Sequence, residues 1–278
     1  MNIKNSLVSV VLSTFLSVSF NGCGSDSSNL DVNTTEEHDV NTTEEHDVVH
    51  FSYSGETGPE NWSTLNSDWA TCENGLTLTP VETGANHQSP VDFTSIDKAT
   101  QSNFTLDNNH SLLFTVQNNG HTIQLTLNEN QIEKDRLFLG GNEYTLAQFH
   151  FHAASEHTEG SKYAAMEAHF VHKAADGSLA VLGAFIDAND TIANTELSKI
   201  FVAELPEEEQ NGTVVSINIA NILPASKVYS YSGSLTTPPC SEGVAWNVYT
   251  THVGLSTEDV GEFKHLYPDN FRPITGDF

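Results

Sequence analysis

Positive charge is what this chain has least of: 10 Lys and Arg stand against 37 Asp and Glu, a formal charge of −27 over 278 residues. A surface of that sign repels phosphate backbones and anionic lipid headgroups, which argues against nucleic acid as a partner. Long apolar runs are also missing. The longest, Leu7 to Phe20, is interrupted by serines and falls short of the roughly 20 residues that a membrane-spanning helix requires. Cysteine is scarce, with three residues, so any disulfide framework is limited to one bond. Helical periodicity is rare as well, which leaves β structure to build whatever core the chain has.

The opening "MNIKNSLVSVVLSTFLSVSFNGCGS" reads as a secretory signal over residues 1–22. The mature chain is therefore expected in the periplasm. Gly22 before Cys23 resembles the end of a bacterial lipoprotein signal, with Phe20 where leucine is usual. Cys23 is thus a candidate for lipidation and membrane anchoring, and plain cleavage is the alternative. Either way Cys72 and Cys240 are the pair left in the mature domain, and export predicts that they form a disulfide. Closing so long a loop stabilises by roughly 4 to 5 kcal/mol in the chain-entropy model.

Residues 23–50 form an acidic spacer in which Asp31–His38, "DVNTTEEH", recurs as Asp39–His46. Such a segment cannot bury a core and is expected to be disordered, with His38, His46 and His50 solvated. From Phe51 the pattern changes to short alternating runs such as "SLLFTVQ", "TIQLTL", "EYTLAQFHFH" and "LAVLGAFID", separated by Gly, Asn and Asp. These predict a single, mainly β domain over 51–278 with a few peripheral helices. The best helical signals are Asn194–Leu205 and a stretch capped by Ser256, with Asp259 three residues on.

His150 and His152 are two apart in a strand-like run, so both project from one face while Phe149 and Phe151 project from the other. In "MEAHFVH", Glu167, His169 and Val171 likewise share a face. If the two strands pair, three imidazoles converge, and three neutral histidines with an open position are the donor set of a catalytic zinc. On His150 and His152 alone the alternative is the polar face of a half-exposed strand. A ligating imidazole usually donates its other N–H to a carboxylate or carbonyl, and Glu167 and Gln148 lie on the right faces for that.

Several ordered motifs together resemble the alpha-class carbonic anhydrases, in particular the bacterial branch: "YSGETGPENW", "NHQSPVDF", "NNGHTIQ", "QFHFH", "SEHT", "YAAMEAHFVH", "AVLGAF", "GSLTTPPCSEGVAWNV" and "NFRP". The resemblance covers nearly all of Phe51–Phe278. It implies a central twisted, mostly antiparallel sheet of about ten strands and a Zn2+ held by His150, His152 and His169. It also implies reversible hydration of carbon dioxide to bicarbonate and a proton, by attack of a zinc-bound hydroxide.

By the same resemblance Thr236 accepts a hydrogen bond from the attacking oxygen and donates to Glu156, and His121 relays the proton. Tyr53, Asn119 and Gln124 would organise the intervening waters. Val171, Val181, Leu235, Val244 and Trp246 would form the apolar wall for the substrate, with Thr237 beside the bicarbonate position. Gln148 would steady His150, the main-chain carbonyl of Asn270 would steady His152, and Glu167 would steady His169. His157 and His172 are read as structural, His87 and His110 as surface residues, and His252 and His265 have no assigned role. Sulfonamide or anion inhibitors and a homodimer are further implications of the family. The rival readings are a noncatalytic carbonic anhydrase-like protein and a periplasmic zinc-binding module; esterase activity is expected as a side reaction only.

Overall fold

The computed structural model describes residues 49–73, 88–202 and 205–277, all within one compact unit, Asp47–Phe278. The signal segment, Cys23, the repeat with His38 and His46, and His87 lie outside the described residues. Thirteen strands run in chain order: β1 (Val91–Phe93), β2 (Phe104–Asp107), β3 (Leu112–Asn118), β4 (Ile123–Leu127), β5 (Arg136–Leu139), β6 (Asn142–His152), β7 (Thr158–Glu159), β8 (Met166–Ala174), β9 (Leu179–Ala188), β10 (Asn211–Ile217), β11 (Val228–Ser234), β12 (Glu242–Leu255) and β13 (Gly276–Asp277).

Ten of them form one sheet in the order β10-β3-β4-β6-β8-β9-β12-β11, with β5 pairing β6 and β2 pairing β5. The pairings are antiparallel except β9 with β12, so the expected mostly antiparallel, ten-stranded sheet is present with one parallel junction. A small parallel sheet, β13-β1-β7, stands apart from it. No helix among the described residues is long and apolar enough to cross a membrane.

Alternation along the strands divides the side chains between two layers. Phe114, Leu125, Phe149, Phe151, Phe170 and Leu182 are fully buried in the larger apolar cluster, and each such side chain stabilises by roughly 1.5–3 kcal/mol when taken out of water. A second cluster holds Val181, Phe185, Val244, Trp246 and Val248, with Phe93 and Tyr229. A third surrounds Trp62 and the Cys72–Cys240 disulfide. That bond ties the N-terminal segment to the loop carrying Thr236 and Thr237.

α1 (Trp62–Leu65) is a single turn. The helix expected over Asn194–Leu205 is α-helical only as α2, Thr195–Ser198, although Asn194 caps it by accepting from the N–H groups of Glu196 and Leu197. Past Ser198 the chain tightens, with Ile200 and Phe201 donating to carbonyls three residues back. Leu197, Ile200 and Phe201 are all buried, the i, i+3, i+4 spacing of a helix face, so the buried face is kept while the backbone tightens. Pro206 also disfavours helical backbone at Leu205. α3 (Thr257–Leu266) forms as anticipated: the Ser256 hydroxyl accepts from the Asp259 N–H, and Val260 and Phe263 face the core.

Candidate metal centre

Antiparallel pairing of β6 with β8 sets His150 opposite His169 and His152 opposite Glu167. Because successive side chains alternate, the three imidazoles emerge on one face while Phe149 and Phe151 fill the core behind them. The ring centroids lie 5.0 Å apart for His150 and His152, 5.3 Å for His150 and His169, and 4.7 Å for His152 and His169. One nitrogen from each falls within 4.8 Å of the others.

The second nitrogen of each ring decides which one is free. Nδ1 of His150 is 2.8 Å from Gln148 Oε1, and Nδ1 of His152 is 2.7 Å from the Asn270 carbonyl oxygen. Both acceptors lack hydrogens of their own, so both Nδ1 atoms carry the proton and both Nε2 atoms keep their lone pairs. His169 is turned the other way: its Nε2 stands 3.0 Å from Glu167 Oε1, which leaves Nδ1 as the free donor. Burial pushes the imidazolium form down in all three, for His152 to about 4, with the neighbouring rings adding to the effect at His150. Three neutral imidazoles with converging lone pairs, and no fourth ligand grouped with them among the described residues, fit a zinc ion that keeps an open position. His152 Nε2 is buried without a hydrogen-bond partner, as an atom awaiting a metal would be, while His169 Nε2 lies 3.0 Å from Glu167 Oε1 without the alignment of a full hydrogen bond.

A second grouping, His157 with Glu167 and His169, also brings ligand-type atoms together. It does not offer a site. His157 Nδ1 is 2.8 Å from Glu167 Oε1 and its Nε2 is 2.6 Å from the Tyr231 hydroxyl, so both nitrogens are engaged. His172 faces the opposite layer, where Nδ1 donates to the Phe170 carbonyl.

Glu156 is fully buried beside the three rings, its Oε2 at 3.5 Å from His152 Nε2 and 3.8 Å from His169 Nδ1. Burial raises its carboxyl to about 7, against the pull of His169, the Arg272 main-chain N–H and a hydrogen bond with the Thr236 side chain. Thr236, 4% exposed, therefore meets Glu156 at the edge of the histidine cluster. Thr237 is half-buried next to it, and its carbonyl accepts from the Cys240 N–H.

The apolar residues gather on the adjoining rung of the sheet. Gln148 pairs Val171, Val171 pairs Val181, Val181 pairs Trp246 and Trp246 pairs Tyr231, two residues along from the pair His150 and His169 and so on the same face. Val181, Val244 and Trp246 are buried together, with Val171 and Leu235 packed against them. The Trp246 ring stands 4.8 Å from His169.

On the other side, Tyr53 stands edge-on to His152 at 6.4 Å. Asn119 Oδ1 accepts from the N–H groups of His121 and Thr122, and its amide nitrogen is 3.4 Å from Gln124 Oε1. His121 is half-buried, its ring stacked on Phe51 at 3.9 Å. Asn270 joins the two regions, since its amide donates to the His121 carbonyl while its own carbonyl holds His152.

A model of the eukaryotic-type carbonic anhydrases matches residues 57–275. The chain belongs to that family. A carbonic anhydrase of Klebsiella pneumoniae is 40% identical over 232 residues, covering 81% of this chain and 87% of its own. Among solved structures, the alpha-carbonic anhydrase of Thermovibrio ammonificans in complex with the inhibitor sulfanilamide is 37% identical, with a TM-score of 0.71, over 82% of this chain and 95% of that one. The Photobacterium profundum alpha-carbonic anhydrase is 33% identical with a TM-score of 0.69, over 81% and 95%. Family membership makes the chain an enzyme of the carbonic anhydrase type, and carbon dioxide hydration its class of reaction.

Two residues of this region were not singled out by their sequence. Arg272, in "NFRP", donates its main-chain N–H to Glu156 Oε1 at 2.8 Å, and its place two residues after Asn270 is the signal that could have found it. Gly183 lies opposite His169 on β9, inside a strand where a glycine marks a close approach.

Proposed function

We propose that the chain catalyses the reversible hydration of carbon dioxide to bicarbonate and a proton with a Zn2+ held by His150 and His152 through Nε2 and by His169 through Nδ1. The observation that carries this reading is the tautomer of each ring, set by Gln148, the Asn270 carbonyl and Glu167 so that a lone pair is left toward a common point. Zinc in such a site supplies a water acidic enough to give up its proton near neutral pH. Thr236 accepts a hydrogen bond from the attacking oxygen and donates one to Glu156, which selects the lone pair that meets the substrate. Val171, Val181, Leu235, Val244 and Trp246 offer carbon dioxide an apolar surface, and Thr237 borders the product's place. His121 carries the proton outward across waters ordered by Tyr53, Asn119 and Gln124.

A periplasmic location is supported by the Cys72–Cys240 disulfide, which persists in an oxidising compartment. Attachment through a lipidated Cys23 and a homodimer extend the same reading. It is tested by stopped-flow carbon dioxide hydration on protein of measured zinc content, with an arylsulfonamide as control. One zinc per chain with sulfonamide-sensitive hydration is expected. One zinc per chain without hydration would sink it in favour of a zinc-binding module.

A further inference from the structure

Arg272 is fully buried, yet among the described residues no carboxylate pairs with its guanidinium and its Nε has no hydrogen-bond partner. Instead Nη1 donates to Gln88 Oε1 at 3.2 Å and to the Ser89 carbonyl at 2.8 Å, and Nη2 donates to the Cys72 carbonyl at 3.1 Å. The plane of the guanidinium also lies over Trp62, 5.8 Å from the ring centre. A buried charge bonded only to neutral acceptors is a poor way to stabilise a fold. The groups it holds are more informative.

Gln88 and Ser89 are the same residues that grip the end of β11. The Ser89 N–H donates to Ser234 Oγ at 2.9 Å, the Ser234 N–H donates to Ser89 Oγ at 3.1 Å, and Ser234 Oγ is 3.4 Å from Gln88 Oε1. Ser234 stands two residues before Thr236. The Arg272 main-chain N–H, placed where the side chain anchors it, meets Glu156 Oε1, so the other carboxylate oxygen is the one turned toward the histidines. One residue thus reaches the segment of Thr236 through Gln88 and Ser89, and Glu156 through its own main-chain N–H.

We propose that Arg272 is a positioning residue for the reaction, setting the separation and direction of the Thr236–Glu156 hydrogen bond through its three side-chain bonds and its main-chain N–H. This inference rests on the reading of Thr236 and Glu156 given above. Glu156 is also the one carboxylate whose field favours the Arg272 charge, which burial otherwise lowers to about 10. The buried cation and the buried carboxylate therefore support one another across the bond that joins their segments.

The test is a double-mutant cycle on the zinc-loaded full chain, with Arg272→Lys and Arg272→Met made in the native and Thr236→Ala backgrounds. Lysine keeps the charge but cannot reproduce the planar fork, so it is the conservative variant. Zinc content, hydrogen exchange of the 231–240 segment in the metal-free protein, and kcat/KM for hydration are measured. In the native background Arg272→Lys is expected to lower kcat/KM about tenfold and Arg272→Met further, both with one zinc per chain and faster exchange in 231–240. In the Thr236→Ala background neither is expected to cost more than about twofold, because the bond they adjust is already gone. Losses of equal fold in both backgrounds, or native kcat/KM in Arg272→Lys, overturn the proposal. If Arg272→Met fails to fold, Arg272→Lys carries the cycle alone. Full activity of Thr236→Ala by itself would remove the reading of Thr236, and this inference with it, an outcome separate from additivity.

Discussion

The carboxylate of Glu167 stands 3.0 Å from Nε2 of His169, and that contact fixes which nitrogen the ring offers. The same carboxylate accepts from Nδ1 of His157 and from the main-chain N–H groups of Glu156 and His157. Burial works against its charge, but His157 and His169 hold it well below the usual carboxylate range. Glu167→Gln replaces one accepting oxygen with an amide that faces donors. Zinc affinity, read by competition with a chelator at constant pH, is expected to fall about 10- to 100-fold. Unchanged affinity would show that His169 holds its orientation without the carboxylate.

His121 is the proposed proton carrier, and its surroundings tune it. Burial lowers its pKa, His50 adds to the lowering and Glu208 opposes it, so the ring is neutral at pH 7 and free to accept. His121→Ala should reduce kcat several-fold in weak buffer, regain it with added imidazole, and leave kcat/KM nearly unchanged. Equal loss of both parameters would assign His121 to the chemical step or to the fold instead.

A charged histidine of a different kind lies away from the metal centre. His252 has Nδ1 at 2.8 Å from Asp187 and Nε2 at 3.0 Å from Glu159, and the Glu159 hydrogen bond leads the causes that raise its pKa to about 9. A folded value above the ordinary 6.5 means stability fully present below about pH 6.5 and lost as pH climbs through 9. With its side chain 27% exposed, solvent screening reduces the contribution to about 1–2 kcal/mol. Urea midpoints at pH 6 and pH 9.5 should differ more for the native protein than for His252→Gln. Parallel pH dependence in the two proteins would rule the ion pairs out as its source.

Sequence reading went furthest where a local period carries the information. His150, His152 and His169 were legible because strand alternation puts residues two apart on one face, and the Ser256 cap because its partner is three residues away. The pairing of His252 was not, since Asp187 and Glu159 come from β9 and β7, 65 and 93 residues distant. Arg272 was missed for the same reason: its bonds to Cys72, Gln88 and Ser89 span some two hundred positions of chain. The helix over Asn194–Leu205 failed in the opposite direction. Its local signal was real at Asn194, and Leu197, Ile200 and Phe201 keep the spacing of a buried helix face, but past Ser198 the bonds run three residues back and Pro206 disfavours helical backbone at Leu205.

Gly183 ties the sheet to the proposed metal ligands by what it omits. It pairs His169 across β8 and β9, and a Cβ at this position would come within 3.0 Å of Glu167 Oε1 and 3.0 Å of Val248 Cγ2. Val248 is buried on β12 and has no room to retreat, so the carboxylate is the partner that gives way. Gly183→Ala should therefore cost about 1–3 kcal/mol as overpacking, and should weaken zinc several-fold by moving Glu167 off His169. The second effect separates this account from crowding alone. Combined with Glu167→Gln, the alanine should lower zinc affinity by much less than the product of the two single losses, because both act on one contact. If the two losses multiply, the glycine serves sheet packing and the carboxylate keeps its place without it.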